Sequence, residues 1–307
     1  MTDAPRITPL SWALVALLGL TWGATFPVTE VALTGITPYW LAASRIVLGA
    51  VLTFVFWQAM GGRLFETAPS RWDLTNLTII GAISSTVPFI CLAWGQQFVT
   101  AGFAGVSMAS VALIVLPLAH FFVPGERMSL RRTAGFVIGF VGVAVLIGGS
   151  AFEATGAALE LPGRIACVGA ATCYAVGSIL LRRLPAVDPV GLACVLLIIG
   201  AVLIVPVAWA VEGPPPLPGP QTLGVLAFLG LVPTAIANVL RVYVVRTAGP
   251  VFMSLVNYQV PVWSVLIGAL ALSEPLPPQL WWAMALILSG VALSQWGALR
   301  RLFGSGG

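Results

Sequence analysis

The chain has 307 residues, of which 59% are hydrophobic and only 8% charged, with a formal net charge of +4. A soluble domain carries about 25% charged residues. That contrast, with a mean hydropathy of +1.03, excludes an ordinary soluble protein, and also disorder, a coiled coil or a nucleic-acid-binding module.

A membrane-spanning helix needs about 20 apolar residues, so the chain has room for about ten. Apolar runs bounded by Pro, Gly and charged residues predict spans at 10–29, 38–60, 75–96, 101–122, 130–149, 162–182, 189–211, 221–245, 250–272 and 279–299. Their uniform apolarity favours helices over barrel strands, which alternate. Arg6 before the run from Leu10 resembles a signal peptide, yet no small-x-small cleavage site closes the run. The segment is read as a retained first helix. The longest connection, 212–220, is a stiff Pro-rich linker. Cys91, Cys167, Cys173 and Cys194 fall inside apolar runs and read as packing residues. They lack metal-site spacing, and neither metal nor cofactor is expected.

All 14 basic residues are Arg. With the N-terminus inside, Arg6, Arg63, Arg71, Arg127, Arg131, Arg132, Arg182, Arg183, Arg246, Arg300 and Arg301 are cytoplasmic and only Arg164 is external. Arg45 and Arg241 lie within spans. The acidic residues divide evenly, so the Arg bias alone sets the orientation, as the positive-inside rule expects. Both termini are expected on the cytoplasmic side of a bacterial inner membrane.

The two halves repeat each other. Thr100-Ala101-Gly102 precedes the fourth span and Thr247-Ala248-Gly249 the ninth, with Ser107 and Ser254 at the same offset. Glu126 and Glu274 end these spans. Gly142-Val143-Ala144 and Gly290-Val291-Ala292 follow sixteen residues on, and Gly49-Ala50-Val51-Leu52 matches Gly200-Ala201-Val202-Leu203. Five spans per half is an odd number, so the second half (151–307) is inverted relative to the first (1–150). Inverted repeats are a design of secondary transporters, because two equivalent halves can exchange conformations around a central site.

At these residues the sequence resembles the EamA-type branch of the drug/metabolite transporter superfamily. The matching features are Trp22-Gly23-Ala24-Thr25-Phe26, Arg45, the stretch from Pro261 to Glu274, and the Gly-Val-Ala of the fifth and tenth spans. The resemblance covers nearly the whole chain, and within the branch it looks most like the YddG-type exporters of aromatic and other hydrophobic amino acids. It implies an all-α polytopic protein of ten helices forming a basket around a central cavity, and export of small metabolites. Leu113 stands where Pro261 stands in the second half, with Pro117 a turn later.

Helix breaks and mid-depth polar groups mark the candidate site. Pro88 and Pro233 are expected to interrupt the third and eighth spans, and Pro117 and Pro261 the fourth and ninth. Breaks recurring in both halves point to a binding site, although Pro is also common in membrane helices. Ser254, Asn257, Tyr258 and Pro261 share one face of the ninth span; Thr234, Asn238 and Arg241 share one face of the eighth. Ser84, Ser85, Ser107 and Ser110 are further candidates. Each of these polar groups fits either substrate contact or an interhelical hydrogen bond. Trp22, Phe26, Trp94 and Tyr174 fit either a ring pocket or interfacial anchors. Arg45 and Arg241 lie about 8–10 Å deep at roughly 1.5 Å per residue. They either snorkel, pair with an acid such as Glu30, hold a substrate carboxylate, or serve a gate. Gly135, Gly139 and Gly142 form a close-packing face in the fifth span, with Ala283 and Gly290 as counterparts in the tenth.

No acid lies deep in a span, and an ion-coupled pump normally keeps a carboxylate there. The expectation is therefore a facilitative carrier working by alternating access. With only two shallow cations in the spans, phosphorylated substrates are disfavoured. His120 reads as an interface residue, so an intramembrane enzyme lacks its nucleophile–base pair. A channel lacks its charged ring, and a pure scaffold would carry no flux. The partners expected are a small molecule and the lipid bilayer, with no nucleic acid, for a monomer or a dimer. The rival readings are a carrier for drugs or lipophilic cations, and an ion-coupled antiporter of the same fold.

Overall fold

The computed structural model describes residues 7–65, 69–123, 127–148, 158–181, 184 and 187–303. Helices dominate them: α1 (Pro9–Leu33), α2 (Pro38–Ala59), α3 (Arg71–Gly95), α4 (Ala101–Phe122), α5 (Leu130–Gly148), α6 (Glu160–Leu181) and α7 (Pro189–Glu212). There follow α8, residues 220–248, α9, residues 250–272, α10 (Pro278–Ser294) and a short α11 (Trp296–Phe303). Among the described residues, seven helices are long and apolar enough to cross a membrane, and Val256–Leu272 and Pro278–Ser294 are shorter apolar helices. Among the described residues, helix falls within each of the ranges expected above. Arg6, Arg182 and Arg183, used above to orient the chain, and Glu126, used for the repeat, lie outside the described residues.

The helix ends follow from local chemistry. A proline opens α1, α2, α7 and α10, where its missing N–H costs nothing and its φ is already helical. Thr8 with Ser11, and Ser70 with Asp73, form reciprocal capping boxes. Asp188 caps α7 through Gly191 N at 2.6 Å. Gly249 ends α8 at φ 89°, a conformation that only glycine adopts cheaply.

Among the described residues, four helices are irregular, in two ways. A π-helical segment, Ala82–Thr86, lies inside α3 just before Pro88, and another, Gly230–Ile236, lies inside α8 around Pro233. These are the interruptions expected from the two prolines, since each proline removes an N–H and crowds the preceding turn. The breaks in α4 and α9 are displaced. Pro117 and Pro261 sit inside continuous helix. The discontinuities come earlier, at Ala109 and at Ser254–Leu255. In α4 the cause is local: the Ser107 hydroxyl donates to Ala104 O at 2.7 Å and the Ser110 hydroxyl to Ser107 O. Such back-bonding bends a helix.

The helices pack as α5 with α10, α2 with α7, α1 with α9, α3 with α6, and α4 with both α6 and α9. The α5–α10 contact is a close backbone approach. A Cβ on Gly135 would lie 2.5 Å from Gly290 O, and one on Gly290 would lie 2.5 Å from Gly135 O. The small-residue face of the fifth span is thus spent inside the chain. One apolar core joins α1, α4, α9 and α10 around Phe252, Leu113 and Ile287; another joins α1, α2, α3 and α7 around Trp40, Leu41 and Ile204. Large apolar side chains such as Val202, Leu270 and Trp282 point outward and are exposed. That surface is stable only against hydrocarbon.

Candidate functional site

The proline break of α8 organises its surroundings step by step. Pro233 has no N–H, so the Leu229 carbonyl four residues back loses its helical donor. The Thr234 hydroxyl donates to that carbonyl at 2.8 Å. Committed as a donor, the hydroxyl oxygen accepts the Nε–H of Arg45 from α2, at 2.9 Å. The Pro233 carbonyl in turn accepts the indole N–H of Trp22 from α1, also at 2.9 Å. Asn238, a turn onward, donates Nδ2 to Thr234 O at 2.6 Å. Three helices therefore meet at one interrupted segment.

The break of α3 also reaches Arg45. Phe89, the residue after Pro88, lies under the Arg45 guanidinium, whose carbon is 4.6 Å from the ring centroid. Tyr174 of α6 is within electrostatic reach of Arg45. Ser84, in the π-helical segment, packs on Gly177 of α6. The structure thus brings together Arg45, Trp22, Ser84, Pro88, Tyr174, Pro233 and Asn238 from the expected set. It adds Phe89, whose only sequence signal was an aromatic ring beside a mid-span proline.

Other expected residues stand elsewhere. Phe26 is buried in the core beside α4, and its carbonyl accepts from Gln96 Nε2 at 2.9 Å. Ser110 is wholly buried, with its hydroxyl on its own helix. Trp94 packs edge-on against Phe98 near the end of α3, ring centroids 5.0 Å apart. On α9, Asn257 is exposed and Tyr258 half-buried, with the Tyr258 hydroxyl itself buried and unbonded among the described residues. Arg241 is exposed.

Arg45 does not pair with Glu30. Glu30 instead accepts the Ala101 N–H at 3.2 Å, a bond it shares with Glu274, which also accepts from Gly102 N at 3.0 Å. The reason is the free N–H groups at the start of α4, which attract carboxylates. Glu212 plays the same part for α2, accepting from the Thr37 hydroxyl, Tyr39 N and Trp40 N. Arg164 is buried and ion-paired with Glu160 a turn earlier in α6. Among the described residues no group of three or more His, Cys, Asp or Glu is arranged to hold a metal ion.

A bundle of long apolar helices, broken where polar side chains face its interior, defines a class: a multi-pass membrane transporter. The chain belongs to the EamA-like transporter family, whose model matches residues 10–148 and again residues 161–296. It is similar to a probable terminal-alkyne amino-acid exporter of Streptantibioticus cattleyicolor, with 29% identity covering 94% of each chain. It is similar also to the uncharacterized inner membrane transporter YedA of Escherichia coli K12, with 28% identity covering 94% of this chain and 91% of that one. The uncharacterized transporter YoaV of Bacillus subtilis is 23% identical, with 92% and 95% covered. One solved crystal structure superposes with a TM-score of 0.66 at 21% identity, covering 95% of this chain and all of the other. That likeness concerns the fold alone.

Proposed function

We propose that the protein exports small amphiphilic metabolites, aromatic and other hydrophobic amino acids foremost, by facilitative alternating access. The observation that carries this reading is the convergence of α1, α2 and α8 on the π-helical segment at Pro233. A helix already broken there bends at low cost, and the segment receives one side-chain donor from α1 and one from α2. Ten spans in two inverted five-helix repeats, 1–150 and 151–307, supply the symmetry that alternating access needs. Two successive matches to one family model support the duplication, and so do irregular helices at corresponding places in the two halves. The amino-acid assignment draws on the name of the Streptantibioticus relative and on the ring surfaces of Trp22, Phe89 and Tyr174, which suit burial of a flat apolar side chain.

Both termini are assigned to the cytoplasmic side of a bacterial inner membrane by the Arg distribution. The one external arginine, Arg164, is held by Glu160 rather than free, which fits that orientation. The family match and the relatives named as transporters support transport as the reading. The small-residue face of α5 is occupied by α10, which favours a monomer. The test is counterflow by purified protein in liposomes against a panel of amino acids. Trp22→Ala, Asn238→Ala and Asn257→Ala are each expected to reduce it. Unchanged transport in all three would move the site off α1, α8 and α9.

A further inference from the structure

We propose that Arg45 is a carboxylate receptor which makes the protein select zwitterions and organic acids and reject organic cations. The inference rests on the amino-acid carrier reading and sharpens it. A guanidinium has five N–H donors in a planar fork. Among the described residues, only the Nε–H of Arg45 is used, on the Thr234 hydroxyl. Among the described residues, no carboxylate reaches ion-pair distance of Arg45, and neither Nη group has a hydrogen-bond partner. Those nitrogens are also not sealed away, since the buried unbonded side-chain atoms are Arg164 Nε and Tyr258 Oη. Arg45 thus presents two unsatisfied nitrogens, not fully sealed from solvent, within an apolar helix bundle.

An unpaired charge there is expensive, and the surroundings hold it in place instead of neutralising it. Thr234 fixes the guanidinium from its Nε edge and Phe89 supports one face. The Nη edge is left as the open side, and a parallel pair of N–H donors matches the two oxygens of a carboxylate. Thr234 is a positioning residue whose own orientation is set by the Leu229 carbonyl that Pro233 frees. The rings of Phe89 and Tyr174 would by themselves attract cations. With Arg45 already over Phe89, that place is taken, and a second cation meets a like charge at low dielectric. The lipophilic-cation reading of this fold is disfavoured here for that reason.

The experiment uses the full-length protein in liposomes and four probes sharing one ring: L-phenylalanine, 3-phenylpropionate, L-phenylalaninamide and phenethylamine. Competition against labelled L-phenylalanine counterflow is measured. The proposal expects the first two to compete and the last two, which lack the carboxylate, to compete at least tenfold more weakly. Arg45→Gln is expected to lower apparent affinity for L-phenylalanine tenfold or more and to abolish discrimination between it and the amide. Arg45→Lys keeps the charge without the fork and should retain part of both. Thr234→Val leaves the charge and loosens its aim, so affinity falls less than in Arg45→Gln and discrimination narrows. If Arg45→Gln does not elute as a monodisperse species, Arg45→Lys and Thr234→Val carry the test. Equal competition by the amide and the acid in the wild type would overturn the proposal and leave the carrier reading standing. So would wild-type discrimination in the variants. Failure of the wild type to move labelled L-phenylalanine, or any other amino acid of the wider panel, would overturn the carrier reading and the proposal with it.

Discussion

Trp22 and Pro233 are joined by a hydrogen bond of 2.9 Å from the indole N–H to the proline carbonyl, 211 residues apart in sequence. It ties α1 to the interrupted segment of α8. Trp22→Phe keeps the ring and deletes the donor, leaving a carbonyl short of a partner. The expected loss is about 1 kcal/mol, the scale of a hydrogen bond between membrane helices. Thermal unfolding in detergent reads it. A variant that melts with the wild type would show that the carbonyl finds another donor.

Glu30 and Glu274 make unequal claims on the start of α4. Glu274 accepts from both Ala101 and Gly102, Glu30 from Ala101 alone. Two ionised carboxylates on one N–H repel each other. Glu274→Ala removes the better acceptor from the positive end of the helix and is expected to cost about 1–2 kcal/mol. Glu30→Gln relieves the repulsion and is expected to be neutral or stabilising. Melting temperatures of the two variants side by side would decide, and equal losses would count against the asymmetry.

Gly290 faces backbone. The nearest atoms to an added Cβ would be Gly135 O and Gly139 N, both at 2.5 Å, and neither can rotate away. Gly290→Ala must push α5 and α10 apart, at about 1–3 kcal/mol or more. The measurement is the yield of monodisperse protein. By contrast a Cβ on Gly224 meets nothing within 4 Å, so Gly224→Ala should purify like the wild type.

Glu212 gathers three donors at the head of α2 and so binds the end of α7 to it. Glu212→Ala is expected to destabilise by about 1–2 kcal/mol, and Glu212→Gln by less, as read from thermal unfolding.

Much of this was legible in the sequence because single residues dictate it. Apolar run length sets the spans, and opening prolines with Thr, Ser and Asp caps set their ends. Pro88 and Pro233 mark the π-helical segments because a missing N–H acts locally. The breaks in α4 and α9 were misplaced because Pro117 and Pro261 are tolerated inside helix, while serine hydroxyls bend α4 at Ala109. The partner of Arg45 was not legible. Depth suggested snorkelling or Glu30, whereas the hydroxyl that receives it lies 189 residues away in sequence. Its availability depends on a carbonyl freed by Pro233. No pattern along the chain encodes that sequence of consequences; it needs three helices packed together.

The central claim is that the chain is a facilitative carrier, and counterflow without any ion gradient tests it most directly. Liposomes holding the purified protein are preloaded with unlabelled L-phenylalanine, with pH and sodium equal on both sides, and labelled L-phenylalanine is added outside. The account predicts transient, saturable accumulation of label. Flux that stays absent until a pH or sodium gradient is imposed, or that never saturates, would contradict it.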